Sequence, residues 1–317
     1  MFISILKPIF IKCLDVLRVC LCFVYLKDNK IDLEIINFTG IKGGMKRVII
    51  RRVRSNRPRT AVPNGQLNGI KLLNNEISRR FNPEMLDLGD INTPCQEKEA
   101  IAAVFDLTGF TTFCNQVDAY LAIPRFLNNF LDWFFASIKQ GLTEEDDGTR
   151  STFWADLPVL VKFLGDGLLV IWDAHRMTDE QICRLTATLY HICYSYRRDF
   201  YPQMSMAVNK PPSVLRCGLA RGKVFSVGNG NDYVGHCINN ASRLSHLGPL
   251  TFCFPHRGFR VREYMPENYA QLFVPKYISI KGVGEDEQVW VVKDEFNRLP
   301  EKNRLQYRTL ESVTALA

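Results

Sequence analysis

The chain has 317 residues, of which 46% are hydrophobic and 23% charged, and its formal net charge is +7. This length allows a sizeable buried core in one large domain or two small ones, and the composition is that of an ordinary soluble protein. The ten cysteines are scattered without a CxxC pair. The sequence therefore indicates neither a disulfide scaffold nor a zinc site, and it favours a cytoplasmic protein.

Residues 1 to 28 form an apolar start. A membrane-spanning helix needs about 20 uninterrupted apolar residues, and this run is broken by Lys7, Lys12, Asp15 and Arg18. A signal peptide fits poorly, because no basic segment comes first and no small-residue cleavage site follows. The remaining alternatives are an amphipathic helix that contacts a membrane surface and a start placed too early, since Met45 opens a plausible shorter chain.

A basic arm at residues 42 to 59 contains eight Lys or Arg residues and no acidic residue, so the rest of the chain is close to neutral. This composition favours a solvated disordered arm, with contact to an anionic membrane or to nucleic acid as the alternative. A polar linker and a helical pattern over residues 70 to 81 follow. We predict an N-terminal extension at residues 1–96, a folded catalytic body at 97–294 and a C-terminal tail at 295–317.

Strand-like and helix-like patterns alternate along the folded body. The first half predicts a buried strand over 99–109, a helix over 115–142, a polar loop over 144–158 and a hairpin over 159–173. The second half predicts a helix begun by Thr178, a strand pair that turns at Arg221 and Gly222, a helix over 236–247 and a closing hairpin. Because hairpins dominate over crossovers, we predict an α+β fold: an antiparallel or mixed sheet with helices on one face.

Two aspartates carry the chemical argument. Asp106 interrupts the apolar stretch AVFDLTGFTTF, residues 103 to 113, where an unpaired buried carboxylate would be costly. Asp166 lies between two glycines at the predicted hairpin turn, which is a good turn sequence and also lets a ligand approach closely. Two carboxylates at adjacent strand ends, beside free backbone N–H groups, predict a Mg²⁺ or Mn²⁺ site for a polyphosphate.

Four segments, in this order, resemble the signature segments of the class III nucleotidyl cyclases, the adenylate and guanylate cyclase catalytic domain. They are AVFDLTGFTTF, KFLGDGLLVIW, LRCGLARGKV and DYVGHCINNASRL, and the resemblance covers roughly residues 98 to 293. It implies a ferredoxin-like α+β domain that forms a head-to-tail homodimer with active sites between the protomers. One departure is the separation of the two aspartates, which is longer than is usual in the family; we assign the surplus to the loop over 144–158.

The resemblance also implies the roles of individual residues. Asp106 and Asp166 would bind two Mg²⁺ or Mn²⁺ ions with the Leu107 carbonyl, and the amides of Gly109, Phe110 and Thr111 would hold the β and γ phosphates. Lys162 and Asp232 would read the base, Asn239 would orient the ribose, Arg243 would stabilise charge at the α-phosphate, and Lys281 would contact the terminal phosphates. From the sequence alone, Asn239 and Arg243 are four residues apart and so share one helical face.

The base is left open by these residues. A Lys and Asp pair is the adenylate cyclase combination in this family, yet a donor beside an acceptor also fits cytosine or uracil. This chain is similar to the bacterial cyclases of the Pycsar antiphage systems, which make cyclic UMP or cyclic CMP. The similarity lies in its compact architecture and in the segments KFLGDGLLVIWD and GNDYVGHCINNASRL. We therefore favour a uridylate cyclase whose product is read by a separate effector protein. The alternatives are an adenylate cyclase and an inactive cyclase-homology module that only binds nucleotide or dimerises.

Overall fold

A computed structural model describes the backbone of residues 9–15, 18–27 and 30–37, and residues 82–147 and 150–308 in full. Contacts divide the chain into two units, Met1–Leu73 and Asn74–Ala317. The basic arm, the linker and the predicted helix over 70–81 lie outside the described residues. In the part of the chain that the structure describes, no helix has both the length and the hydropathy needed to cross a membrane.

The first unit contains an antiparallel sheet of three strands: β1 (Ile9–Asp15), β2 (Arg18–Lys27) and β3 (Lys30–Asn37). The alternative of an amphipathic helix within residues 1 to 28 is therefore wrong over the described part of that range. In β3, the apolar residues Ile31, Leu33 and Ile35 alternate with Asp32 and Glu34, which is the period of a strand.

The second unit is built on one large mixed sheet. Its nine strands in the described part of the chain are β4 (Glu97–Thr108), β7 (Leu160–Phe163), β8 (Gly167–Asp173), β9 (Val214–Val227), β10 (Asp232–Val234), β11 (Phe252–Pro255), β12 (Phe273–Ile280), β13 (Gly284–Val292) and β14 (Tyr307–Arg308). A separate small hairpin is formed by β5 (Thr143–Asp146) and β6 (Ser151–Phe153). The order in the large sheet is β14-β12-β13-β11-β9-β4-β8-β7, and β10 pairs with β9. The pairing of β11 with β9 is parallel, and the described neighbouring pairs around it are antiparallel.

Helices connect these strands. They are α1 (Phe110–Cys114), α2 (Ala119–Leu142), α3 (Asp179–Ser195), α4 (Tyr201–Ala207), α5 (His236–Ser245), α6 (Val261–Tyr264), α7 (Glu267–Ala270), α8 (Lys293–Asn297) and α9 (Glu301–Arg304), with a 3₁₀ turn at Pro83–Leu86 and a π-helical turn at Tyr196–Phe200. The order β4-α2-β7-β8-α3-β9 in sequence and β9-β4-β8-β7 in space is the ferredoxin-like split arrangement. The predicted α+β class is confirmed.

The helices cover both faces of the sheet, so the prediction of helices on one face was wrong. On one face, Ile101, Ala103 and Phe105 of β4 belong to a large core with residues of α2 and α3. On the other face, Ala102 and Val104 pack in a smaller cluster with residues of α5. The strand is an unbroken apolar run from Ala100 to Phe105, and such a run needs cover on both sides because successive side chains point to opposite faces.

Strand β9 is continuous where a turn at Arg221 and Gly222 was predicted. It pairs with β4 over twelve consecutive positions, from Glu97–Phe225 to Thr108–Val214. The Arg221 guanidinium is held in ion pairs with Glu99 and Asp179. Long-range pairing with β4 therefore overrides the local turn signal of Arg-Gly. The predicted polar loop over 144–158 likewise contains most of the small β5–β6 hairpin.

The compact second unit extends beyond residues 97–294 at both ends. Before β4, the Asn231 amide donates to the Asp87 carbonyl over 3.0 Å, and the Gln96 N–H donates to Ser226 over 2.9 Å. After β13, Leu299 and Tyr307 are buried in a cluster with residues of β12 and β13. Strand β14 pairs with β12 at the edge of the sheet.

Gly218 allows α5 to lie directly on β9. A Cβ atom at this position would be 2.1 Å from the Ala241 carbonyl oxygen and 2.2 Å from the Ser245 nitrogen. We expect Gly218→Ala to lower the free energy of unfolding by about 3 kcal/mol, measured by urea denaturation. The control is Gly230→Ala, which meets no atom within 4 Å and is penalised only for its φ of +86°, at about 1 kcal/mol. Equal losses in the two variants would contradict the close packing of α5.

Candidate active site

Asp106 and Asp166 are brought to the same end of the sheet. Asp106 lies within β4, two residues before its end, and its register partner in β8 is Gly167. The next residue, Leu107, donates its N–H to the Asp166 carbonyl oxygen over 2.9 Å. Gly167 is required here, because a Cβ atom would lie 1.9 Å from the Phe105 carbonyl oxygen. The Leu107 hydrogen bond and the close packing at Gly167 thus hold the turn that carries Asp166 against the end of β4.

Asp106 is half-buried in a mixed electrostatic environment. Burial raises the pKa of its carboxyl group above the usual 3.8, and the neighbouring Asp166 raises it further, whereas His246 and Arg216 act in the opposite direction. Arg216 is the register partner of Asp106 in β9. These are the conditions of a carboxylate that lacks a sufficient counter-charge, and a cation bound between the two aspartates would supply it.

Arg216 and His246 are two residues of this site that sequence reasoning missed. Arg216 lies inside the quoted segment LRCGLARGKV, and His246 follows α5 by one residue. The sequence places Arg216 in a predicted strand, but only the register of β4 with β9 puts it opposite Asp106. His246 gave no comparable signal, because a histidine after a helix has no preferred partner in the sequence.

The loop after Asp106 is open to a ligand. Gly109 has a φ of +88°, and a Cβ atom built on it meets no atom within 4 Å. Helix α1 begins directly afterwards, so the amides of its first turn, beginning with Phe110 and Thr111, have no partner within the helix. The Thr108 hydroxyl oxygen is buried without a hydrogen-bond partner, and Thr108 lies on the same strand face as Asp106. An acceptor-rich group such as a phosphate satisfies donors of this kind.

Lys162 and Asp232 are in direct contact. The Lys162 ammonium group donates to the Asp232 carboxylate, although the two residues come from β7 and β10, 70 positions apart in the chain. Lys162 is the register partner of Leu169, which packs beneath α5. Since opposite residues share a face, Lys162, Asp106 and Arg216 all lie on the α5 face of the sheet. The structure thus places a donor and an acceptor side by side on the face of the sheet that carries Asp106.

Asn239 and Arg243 are both exposed on α5, and Lys281 is exposed in the turn between β12 and β13. This turn contacts Arg243, because a Cβ atom on Gly282 would be 3.1 Å from the guanidinium nitrogens. Gly282, with a φ of +73°, therefore leaves room for the arginine beside Lys281. The structure brings Arg243 next to the Lys281 turn; it records no direct contact between Asn239 and the other candidate residues within the described part of the chain.

The donor set suits a hard cation shared with a substrate. The Asp106 and Asp166 carboxylates and the Leu107 carbonyl are oxygen ligands, which Mg²⁺ and Mn²⁺ prefer. Among residues 82–147 and 150–308, no group of three or more His, Cys, Asp or Glu side chains forms a complete metal cage. A two-carboxylate site leaves coordination positions open for the oxygens of a polyphosphate and for water, as is usual for Mg²⁺ sites of this kind.

No protein-family model and no curated protein matches this chain. Several solved structures do. The catalytic core of a rhodopsin-guanylyl cyclase with converted specificity, in complex with ATPαS, is 20% identical and has a TM-score of 0.45; 63% of this chain and 98% of that chain are covered. The guanylate cyclase domain of RhGC from Catenaria anguillulae, in complex with GTP, is 19% identical with a TM-score of 0.44, and 62% and 98% are covered.

A bacterial structure is also similar: an adenylate/guanylate cyclase/hydrolase from Silicibacter pomeroyi, 13% identical, with a TM-score of 0.43 and with 63% of this chain and 98% of that chain covered. The candidate site is defined by its own residues: two aspartates at one sheet end, an open glycine loop, a lysine–aspartate pair and an arginine on α5.

Proposed function

We propose that this protein is a nucleotide cyclase, which converts a ribonucleoside triphosphate into a 3′,5′-cyclic nucleotide and pyrophosphate. The observation that carries the proposal is the convergence of Asp106 and Asp166 beside the open Gly109 loop. A half-buried carboxylate with a raised pKa is a poor structural element. It is a good ligand for a cation that arrives with a polyphosphate.

The residues at the end of β4 would hold the triphosphate. Asp106, Asp166 and the Leu107 carbonyl would bind Mg²⁺ or Mn²⁺, and the amides of Gly109, Phe110 and Thr111 would bind the β and γ phosphates. When bound, the metal ions would lower the pKa of the ribose 3′-hydroxyl and neutralise charge on the α-phosphate. Arg216, opposite Asp106, adds a fixed positive charge on the same face. The chain's contribution is to orient the α-phosphate for in-line attack with pyrophosphate as leaving group.

The residues on and beside α5 would act on the nucleoside. Lys162 and Asp232 would read the base through one donor and one acceptor, Asn239 would orient the ribose, and Arg243 would stabilise the negative charge that develops at the α-phosphate. Lys281, in the turn that contacts Arg243, would bind the terminal phosphates. In the head-to-tail homodimer that we propose, each active site combines the aspartates of one protomer with Asn239 and Arg243 of its partner, giving two equivalent sites.

For the base, we propose a pyrimidine, with UTP as substrate and cyclic UMP as a messenger in Pycsar-type antiviral defence, read by a separate effector protein. The contact between Lys162 and Asp232 supports a reader with an adjacent donor and acceptor. The same pair fits adenine, so an adenylate cyclase that makes cyclic AMP is the second candidate.

The test is a side-by-side assay of the purified full chain with ATP, GTP, CTP and UTP, in Mg²⁺ and in Mn²⁺, with the cyclic product identified by mass. We expect cyclic UMP to dominate with UTP, and no product from the Asp106→Asn variant. Dominant cyclic AMP would reject the pyrimidine proposal and support the second candidate. Absence of pyrophosphate release from all four substrates would reject the enzyme and leave the inactive cyclase-homology module.

A further inference from the structure

A second cavity lies away from the candidate active site. It has a volume of about 540 Å³ and lies between the C-terminal half of α3 and the ends of the sheet at β12 and β13, with α8 on one side. None of the residues assigned above to metal, phosphate, base or ribose lines it. Its volume is in the range of roughly 300–1,000 Å³ that is typical of sites for small organic ligands.

One wall of this cavity is aromatic and apolar. Tyr190 and Tyr194 of α3 lie with their ring centroids 6.5 Å apart, and Leu272 and Val292 also line the cavity. The Tyr190 ring is fixed by an edge contact with Phe273 at 5.2 Å. Burial and the nearby Glu295 raise the pKa of Tyr190 to about 12, so its hydroxyl group stays protonated at neutral pH. The wall offers a flat apolar surface and a hydrogen-bonding hydroxyl.

The charged groups around the cavity are mainly positive. The cationic groups are Arg197, Arg198, Lys293 and Arg298, and the acidic groups are Asp294 and Glu295. Arg198 is engaged by Asp199 and by the Tyr194 ring, and both Glu295 oxygens accept hydrogen bonds from Thr251. Within residues 82–147 and 150–308, no ion pair is formed by the other three cations. Within the described residues, the cavity therefore has three cations outside ion pairs against two carboxylates outside them, Asp294 and the hydrogen-bonded Glu295, so positive charge is in excess.

The helix that supplies two of these arginines is interrupted at the cavity. Residues Tyr196–Phe200 form a π-helical turn between α3 and α4, closed by the Tyr201 N–H donating to the Tyr196 carbonyl. The Tyr196 hydroxyl anchors the turn by donating to the Pro212 carbonyl over 2.6 Å. A π turn inserts one residue into an α-helix and is frequently found at functional sites. Here it lies where Arg197 and Arg198 both line the cavity.

We propose that this cavity is a second ligand site, separate from the aspartates, for a small organic anion that carries a planar ring and a phosphate or carboxylate group. The ring lies against the apolar wall, beside Tyr194 and the Arg198 guanidinium that contacts the tyrosine ring, and the anionic group is bound by Arg298 and Arg197. Arginine is suited to both carboxylate and phosphate because its guanidinium group forms two parallel hydrogen bonds. The four nucleoside 5′-monophosphates, the four 3′,5′-cyclic nucleotides, phenyl phosphate and benzoate all have this chemistry.

The test is isothermal titration of the full-length protein with each of these compounds. The Asp106→Asn variant is titrated in parallel, because it removes the principal metal ligand of the candidate active site without touching the cavity. We expect at least one compound to bind with the same affinity to the wild type and to Asp106→Asn. We expect Arg298→Ala and Tyr194→Ala each to weaken that binding about tenfold or more. The matched control is Arg304→Ala, because Arg304 is an exposed arginine on α9 that does not line the cavity. This variant should bind the compound with the affinity of the wild type.

Two results would overturn the proposal: no binding by any of the compounds, or binding that survives Arg298→Ala and Tyr194→Ala. If every compound that binds the wild type fails to bind Asp106→Asn, the ligands belong to the candidate active site and the second site is also rejected. Phenyl phosphate and benzoate distinguish the two anionic groups, since preference for one of them identifies the group that Arg298 receives. The outcome does not depend on cyclase activity, so failure here and failure of the proposed function can be told apart.

Discussion

Asp106→Asn is expected to lower cyclase activity by about 10³-fold or more, which corresponds to about 4 kcal/mol of transition-state stabilisation. The substitution keeps the shape of the side chain but removes the negative charge that would hold the metal ion at the end of β4. Because an ion bound there would act on both the 3′-hydroxyl and the α-phosphate, the amides proposed to bind phosphate would not offset its loss. The measurement is the initial rate of pyrophosphate release with the preferred triphosphate and saturating Mn²⁺.

The same variant should be more stable than the wild type in metal-free buffer. The pKa of Asp106 is raised above 3.8 in the folded protein, so the unfolded chain releases its proton at a lower pH than the folded chain does. The stabilising contribution of the protonated group is therefore complete below pH 3.8 and is lost as the pH rises through the folded-state pKa. At pH 7 with EDTA, the ionised carboxylate opposes folding, and Asp106→Asn should melt at a higher temperature.

Two further measurements separate this prediction from general damage. Asp156→Asn alters an exposed aspartate in the segment between β6 and β7, and it should keep both the activity and the melting temperature of the wild type. Retention of the proposed dimer by Asp106→Asn, measured by size-exclusion chromatography with light scattering, would show that assembly is intact. A variant that keeps more than about a tenth of the activity would refute a metal-ligand role, since loss of that ligand removes several kcal/mol of stabilisation.

Arg243→Ala should lower kcat by about 10² to 10³-fold and change KM little. The guanidinium group would act on charge that appears only in the transition state, and removal of one such group typically costs this much. Because Arg243 is exposed and packs against the Gly282 turn, the substitution leaves the core unchanged. Arg243→Lys should restore only part of the loss, since a lysine lacks the forked geometry that contacts two phosphate oxygens. If kcat/KM fell by the same factor only because KM rose, with kcat unchanged, Arg243 would instead be assigned to ground-state binding.

Mixing the two inactive variants tests whether one site is shared by two protomers. In the proposed head-to-tail dimer, a heterodimer of Asp106→Asn with Arg243→Ala would have one site with both substitutions and one site with neither. Random exchange of protomers should therefore restore about a quarter of the wild-type activity. No recovery after complete exchange would contradict the head-to-tail arrangement, and recovery is impossible if each protomer forms its own site.

The local signals in the sequence were reliable where short-range chemistry decides the structure. Thr178 begins α3 with a capping box, in which its hydroxyl accepts from the Gln181 N–H and the Gln181 side chain accepts from the Thr178 N–H. The glycines around Asp166 form the predicted turn between β7 and β8. By contrast, Arg221 and Gly222 resemble a turn but lie inside β9, because twelve paired positions with β4 outweigh one local preference.

The sequence by itself determined the α+β class and the buried strand around Asp106, since these follow from periodicity, and the resemblance of its motifs to class III cyclases implied the candidate residues Lys162, Asp232 and Arg243. Only the tertiary structure decided which of them meet. The contact of Lys162 with Asp232, the position of Arg216 opposite Asp106, and the cover of the second face by α5 all depend on strand register and helix docking. A one-residue change of register would turn Asp106 to the other face, and no local pattern in the sequence encodes that choice.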